Sequence, residues 1–156
     1  MKIELWAIGK TNEKYLETGI EIFEKRLRNY LPFSFIIFPD VKTKYADPVQ
    51  LKTEEGKALL AKLSPDDFLV LLDEKGLEFS SLGLSTWVER RLSGPGRKMV
   101  FLIGGAFGFS PEVYARADEK IALSKLTFSH QMVRLFFLEQ LYRAMTILKN
   151  EPYHNE

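Results

Sequence analysis

The stretch Met99-Val100-Phe101-Leu102-Ile103, followed at once by Gly104-Gly105-Ala106-Phe107-Gly108, sets the architecture. Five apolar residues without polar alternation read as a strand buried on both faces, and the glycines mark the point where the chain leaves the sheet. Runs of the same kind recur over 3–8, 33–38, 68–72 and 121–123. Between them lie helical patterns. Tyr15, Leu16, Ile20, Phe23, Leu27 and Tyr30 share one helical face. Asp47-Pro48 opens a helix that ends near Leu63, where Ser64-Pro65 stops it. A third helix spans Ser81 to Leu92, a short fourth starts at Ser110-Pro111-Glu112, and the longest runs from His130 to Leu148. Strand alternating with helix predicts one α/β domain over residues 1–156, with a mostly parallel sheet flanked by helices. The generic form of that pattern is a doubly wound sheet.

Composition narrows the chemistry. The chain has 156 residues and no cysteine, which excludes disulfides, thiolate-held metals and cysteine nucleophiles. Two histidines leave little for metal ligation, so no metal is expected. Charge is spread evenly to a net +1, without the basic excess of proteins that coat nucleic acid. No apolar run is long enough to span a bilayer and the first residues carry no secretory pattern, so a cytoplasmic protein that does not engage membranes is expected. In the last helix Met132, Val133, Leu135, Phe136, Phe137, Leu138, Leu141, Tyr142, Met145, Ile147 and Leu148 leave almost no polar face. Such a helix must be covered on more than one side, which predicts a homodimer with this helix in the interface, or else a central core helix.

Ligands of parallel sheets bind beyond the carboxyl ends of the strands. Three exits stand out: Leu72-Asp73, Gly104-Gly105, and the connector Ser124-Lys125-Leu126-Thr127-Phe128-Ser129 that leads to His130. The glycine pair allows a ligand close to the backbone or a turn with positive φ, but it is neither a dinucleotide fingerprint nor a P-loop. In the connector, Leu126 and Phe128 are too apolar for a solvated loop while Ser124, Thr127 and Ser129 supply hydroxyls, a mixture that suits a flat, partly apolar ligand. His130 and His154 are the only side chains matched to proton transfer near neutral pH. Arg134 and Arg143 on the last helix, and Lys25-Arg26-Leu27-Arg28 on the first, are either phosphate contacts or solvated and packed surface.

Phe101 to Gly108, Leu123 to Arg134, Glu139-Gln140-Leu141-Tyr142-Arg143-Ala144 and the ending Pro152-Tyr153-His154, taken in order, closely resemble the RlmH-type ribosomal large-subunit methyltransferases of the SPOUT superfamily. Ala7-Ile8-Gly9-Lys10 fits the same family, and the similarity covers essentially the whole chain. The resemblance implies a C-terminal trefoil knot, which sequence rules alone would never propose. It implies S-adenosyl-L-methionine as methyl donor, bound by Leu72, Gly104, Gly105, Ser124, Lys125, Leu126, Thr127, Phe128 and Ser129. It also implies a homodimer that methylates N3 of a pseudouridine in helix 69 of 23S rRNA. Ser129 stands where many members have proline. On this footing Tyr153 and His154 are expected to fold over the target base, with His154 assisting proton removal, and Arg143 and His130 to hold phosphate or base. The near-neutral charge makes large-subunit rRNA in the assembled ribosome the expected substrate. The competing readings are a non-enzymatic ribosome-binding module and a nucleotide-binding α/β enzyme of another class.

Overall fold

The computed structural model describes residues 1–41 and 47–155. Five strands, β1 (Lys2–Ile8), β2 (Phe33–Phe38), β3 (Phe68–Glu78), β4 (Lys98–Ile103) and β5 (Glu119–Ala122), form one sheet in the order β2-β1-β4-β3-β5. Every pairing is parallel. The crossovers carry α1 (Lys14–Arg28), α2 (Pro48–Leu60), α3 (Ser81–Leu92) and α4 (Pro111–Arg116), and α5 (Met132–Leu148) follows β5.

The period-two geometry of strands divides the apolar residues between two cores. Ile3, Leu5 and Ala7 of β1, with Met99, Phe101 and Ile103 of β4, pack on the side of α1, α3 and α5. Trp6 and Ile8, with Val100 and Leu102, pack on the side of α2 and α4. Strands buried on both faces have no polar alternation, which is why the runs read so plainly.

Helix starts follow their capping residues. The Asp47 side chain accepts from the Val49 amide at 3.0 Å, Ser80 from Gly83 at 3.0 Å and Ser110 from Val113 at 3.3 Å. Several boundaries differ from expectation, among them β5, which spans Glu119–Ala122 and not 121–123. α2 ends at Leu60 because residues 61–63 tighten into a turn, with the Lys62 and Leu63 amides bonding three residues back. α5 starts at Met132 because the Ser129 hydroxyl accepts from the Gln131 and Met132 amides at 3.2 and 3.0 Å. β3 continues to Glu78: after a register shift between Leu72 and Leu77, its far half pairs again with β5.

α5 lies between α1 and α3 against the sheet, burying Phe137, Leu138, Leu141, Ala144 and Met145. Most of its apolar surface is thus covered within the chain. Met132 and Phe136 stay 39% and 41% exposed.

Candidate active site

β4, β3 and β5 are neighbours in the sheet, so their carboxyl ends emerge side by side. The chain leaving them encloses a cleft of about 420 Å³, lined by residues from each exit as well as by Tyr114 of α4 and Val133 of α5. That volume lies in the range of clefts that hold small ligands. Of the residues anticipated for the donor, Leu72, Gly104, Gly105, Ser124, Leu126, Thr127 and Phe128 line it, and so does His130.

Lys125 and Ser129 do not. Lys125 is exposed, and Ser129 has its hydroxyl committed to the start of α5. The glycine loop also works differently from the expectation. Its positive φ, +82°, falls at Gly108, whose amide closes a turn onto the Gly105 carbonyl at 3.1 Å. Gly105 leaves room for a neighbour: a Cβ there would sit 2.8 Å from the buried Glu55 carboxylate, which would have to move.

The connector after β5 is fixed at several points. Thr127 donates to Glu74 at 3.1 Å, and the Phe128 ring lies 5.2 Å from Phe136 of α5. Gln131 ties it to the exit of β1, accepting from the Asn12 amide at 2.9 Å and donating to the Lys10 carbonyl at 3.2 Å. Next to this, Arg134 is 1% exposed and spans the Ile8 carbonyl at 2.9 Å, Thr11 Oγ1 at 3.1 Å and the His130 carbonyl at 3.3 Å. It is a buried brace and not a phosphate contact.

Asp73, named in the sequence as the end of one exit, lines the cleft together with Glu74, Phe107 and Tyr114, which sequence reasoning did not single out. Asp73 was signalled as the first polar residue after an apolar strand. Its carboxylate accepts from Tyr114 at 2.6 Å, and burial followed by that bond pushes the Tyr114 phenol up to about 12. No pattern announces Tyr114.

Arg143, Tyr153 and His154 form a separate cluster. Arg143 lies ten residues beyond Val133 on α5, about 15 Å along the axis. It donates to Glu139 at 2.6 Å and to His154 Nδ1 at 3.0 Å, and its guanidinium stacks 4.8 Å from the Tyr153 ring centroid. Tyr153 donates to the same Glu139 oxygen at 3.1 Å. Burial and then Glu139 raise the Tyr153 phenol above its usual range. Because a guanidinium only donates, His154 accepts at Nδ1, and the neutral ring keeps its proton on Nε2. Within one chain, therefore, His130 stands at the cleft while the other three anticipated catalytic residues share the far part of α5.

A parallel α/β domain whose adjoining strand exits close on one cleft has the form of an enzyme that binds its ligand beyond the carboxyl ends of the strands. The chain belongs to the SPOUT methyltransferase family: a family model described as "Predicted SPOUT methyltransferase" matches residues 1–154. It is 55% identical to a ribosomal RNA large subunit methyltransferase H from Christiangramia forsetii over 156 residues, 99% of each chain. A protein of the same name from Parabacteroides distasonis is 52% identical over the whole of both chains. That from Cytophaga hutchinsonii is 51% identical over 99% of this chain and all of its own. Methyl transfer is accordingly the chemistry of this family. Among the described residues no helix is long and apolar enough to cross a membrane, and no group of three His, Asp or Glu is placed to hold a metal.

Proposed function

We propose that this protein transfers a methyl group from S-adenosyl-L-methionine to N3 of a pseudouridine in helix 69 of large-subunit rRNA, acting as a cytoplasmic homodimer on the assembled ribosome. The observation that carries the reading is the convergence of residues 72–75, 103–109, 123–124, 126–128 and 130 on a single cleft. The residues present suit the donor. Free backbone groups of the glycine loop and connector can address an adenine edge and a ribose, the Phe107 and Phe128 rings offer apolar faces, and Asp73 and Glu74 favour a cationic ligand. Bound there, the donor would supply a sulfonium-activated methyl, so the chain needs no nucleophile of its own.

What the chain must supply is alignment of the base and help with the N3 proton. Tyr153 offers a ring face, and Arg143 and His154 offer a cation and an imidazole beside it. His154 accepts a proton only once Arg143 releases Nδ1, so substrate binding that draws Arg143 to a phosphate or a base carbonyl would also free the base. Because this cluster lies about 15 Å along α5 from Val133, a partner's tail is the natural source of the second half of each site. Exposed Met132 and Phe136, beside the cleft, give a second copy apolar surface to cover. In this reading the connector from β5 to α5 is threaded as the family's trefoil knot.

The test is transfer of labelled methyl to ribosomes that lack the modification, followed by mapping of the nucleoside. Label in 3-methylpseudouridine of helix 69 is expected. Label elsewhere, or faster methylation of naked rRNA than of ribosomes, would contradict the reading.

A further inference from the structure

α1 ends in Lys25-Arg26-Leu27-Arg28, and its two arginines have opposite surroundings. Arg28 is neutralised by Glu24 at 2.9 Å, one helical turn back. Arg26 has Ile22, Phe23, Asn29 and Tyr30 at helical spacing, none of them acidic. Its guanidinium instead lies 5.1 Å from the Phe23 ring centroid and 5.4 Å from that of Tyr142. Tyr142 in turn meets Tyr153 edge-on at 4.8 Å. The two carboxylates of the neighbourhood are engaged elsewhere: Glu139 accepts from Arg143 and Tyr153, and Glu151 accepts from Tyr30 at 2.7 Å. Among the described residues the Arg26 side chain has neither an ion pair nor a hydrogen bond, although it is exposed and one ring away from Tyr153. Its charge also reaches the Tyr153 phenol, where it opposes the upward push of burial and Glu139.

A guanidinium resting over aromatic rings is held in place by them while N–H groups on its outer side remain able to grip a phosphate. Stacking also removes part of the ordering cost of binding. Single-stranded or extruded nucleotides are recognised by this combination of an aromatic face for the base and a cation for the adjoining phosphate. We propose that Arg26 is a phosphate-binding residue of the RNA site: it takes a backbone phosphate next to the nucleotide whose base lies on Tyr153. The assignment rests on the reading of the substrate given above and adds to it a residue from a different helix.

The experiment compares methyl transfer to ribosomes by the wild type, Arg26→Gln, Arg26→Lys and Arg28→Gln over a series of salt concentrations. Arg26→Gln is expected to raise the KM for ribosomes by about tenfold, leave kcat and S-adenosyl-L-methionine affinity within about twofold, and lower the slope of log affinity against log salt by about one. Arg26→Lys should restore the slope, because the charge returns, but only part of the affinity, because an ammonium lacks the forked donors of the guanidinium. Arg28→Gln, which removes a cation already neutralised, should change KM by less than about twofold. An Arg26→Gln enzyme with wild-type KM and salt slope would overturn the assignment, as would a fall in kcat at unchanged KM. Should Arg26→Gln melt early, the affinity of the Lys variant still decides: a KM equal to the wild type's overturns the assignment, and a KM raised severalfold at wild-type slope supports it. If the wild type itself methylates no ribosome, the substrate reading fails; if it does and Arg26→Gln matches it, only the Arg26 assignment fails.

Discussion

The cleft beyond β3, β4 and β5 and the cluster on the far part of α5 are built on opposite plans. The cleft is drawn from three exits up to about fifty residues apart in sequence, and three of its lining residues are glycines. The cluster comes from α5, the few residues after it and one turn of α1, and what it offers is side chains: Arg26, Arg143, Tyr142, Tyr153 and His154. A cleft lined in part by glycine suits a cosubstrate that presents the same edges every time. Charged and aromatic side chains suit a nucleotide that must be gripped and stripped of a proton. The division predicts that substitutions in the two regions fail differently.

The largest separation is expected from His154→Ala. Loss of a group that assists proton transfer costs roughly 10²- to 10⁴-fold in kcat, while S-adenosyl-L-methionine affinity, measured by calorimetry, should stay within about twofold. Weakened donor binding at unchanged turnover would break the division. Mixing this variant with a cleft variant such as Gly105→Val adds a sharper result. If each site pairs one chain's cleft with its partner's tail, half of the randomly exchanged dimers carry one intact site, and about a quarter of wild-type activity returns. No recovery after subunit exchange would mean that the tail does not serve a partner's cleft.

Arg134 joins the two regions, because it fastens the start of α5 to the exit of β1. Burial lowers its pKa and the Asp40 carboxylate opposes that, and a guanidinium remains a charged donor even so. Arg134→Met removes the donor for two carbonyls and a hydroxyl, and about 3 kcal/mol of stability should be lost in urea unfolding. Both donor and ribosome affinity should weaken together. A loss below about 1 kcal/mol would show that the brace is dispensable.

The sheet was legible because parallel strands are apolar on both faces, and the cleft because β4, β3 and β5 end in glycine, Asp73 and hydroxyl-rich chain. Arg134 was not legible: a long cation at helical spacing looks the same in sequence whether its head reaches water or a buried carbonyl. The extension of β3 beyond Leu72 was hidden for another reason. Residues 73–78 are mostly polar, and only pairing with β5 makes them a strand. The apolar α5 was read as needing a partner, yet α1, α3 and the sheet cover most of it, so its composition constrains burial without saying which chain supplies the cover.

On the cleft side, Gly105→Ala places a methyl group 2.8 Å from Glu55, a carboxylate whose pKa is already raised by burial and by Asp40. Glu55 must swing or the loop must lift, an overpacking cost of roughly 1–3 kcal/mol. Donor affinity should fall about tenfold or more with little change in the kcat reached at saturating donor, the reverse of the His154→Ala pattern. Equal donor affinity would show that the loop yields without disturbing the cleft.

The smallest effect should come from Tyr114, one of the few places where the cleft wall depends on a side-chain bond. Its phenol pKa stands at about 12 in the folded chain, against an ordinary value near 10, through burial and the bond to Asp73. A raised pKa means that folding favours the protonated phenol. The contribution is complete below pH 10 and is lost as pH rises from 10 to 12, where the unfolded chain ionises first. Tyr114 is 41% exposed, so solvent screens much of the effect. Burial and their carboxylate partners also raise Tyr30 and Tyr153, which are the same in every variant and supply a common background. Tyr114→Phe keeps the ring, with its edge contact to Phe109 at 5.6 Å, and removes only the hydroxyl. Stability followed by urea unfolding from pH 9 to 12 should therefore fall less steeply in Tyr114→Phe than in the wild type, with donor affinity near neutral pH changed by less than about threefold. Parallel curves would mean that the Asp73 bond adds nothing to the fold. A large loss of donor affinity would mean that the cleft relies on side chains as the tail cluster does, and the contrast between the two regions would narrow accordingly.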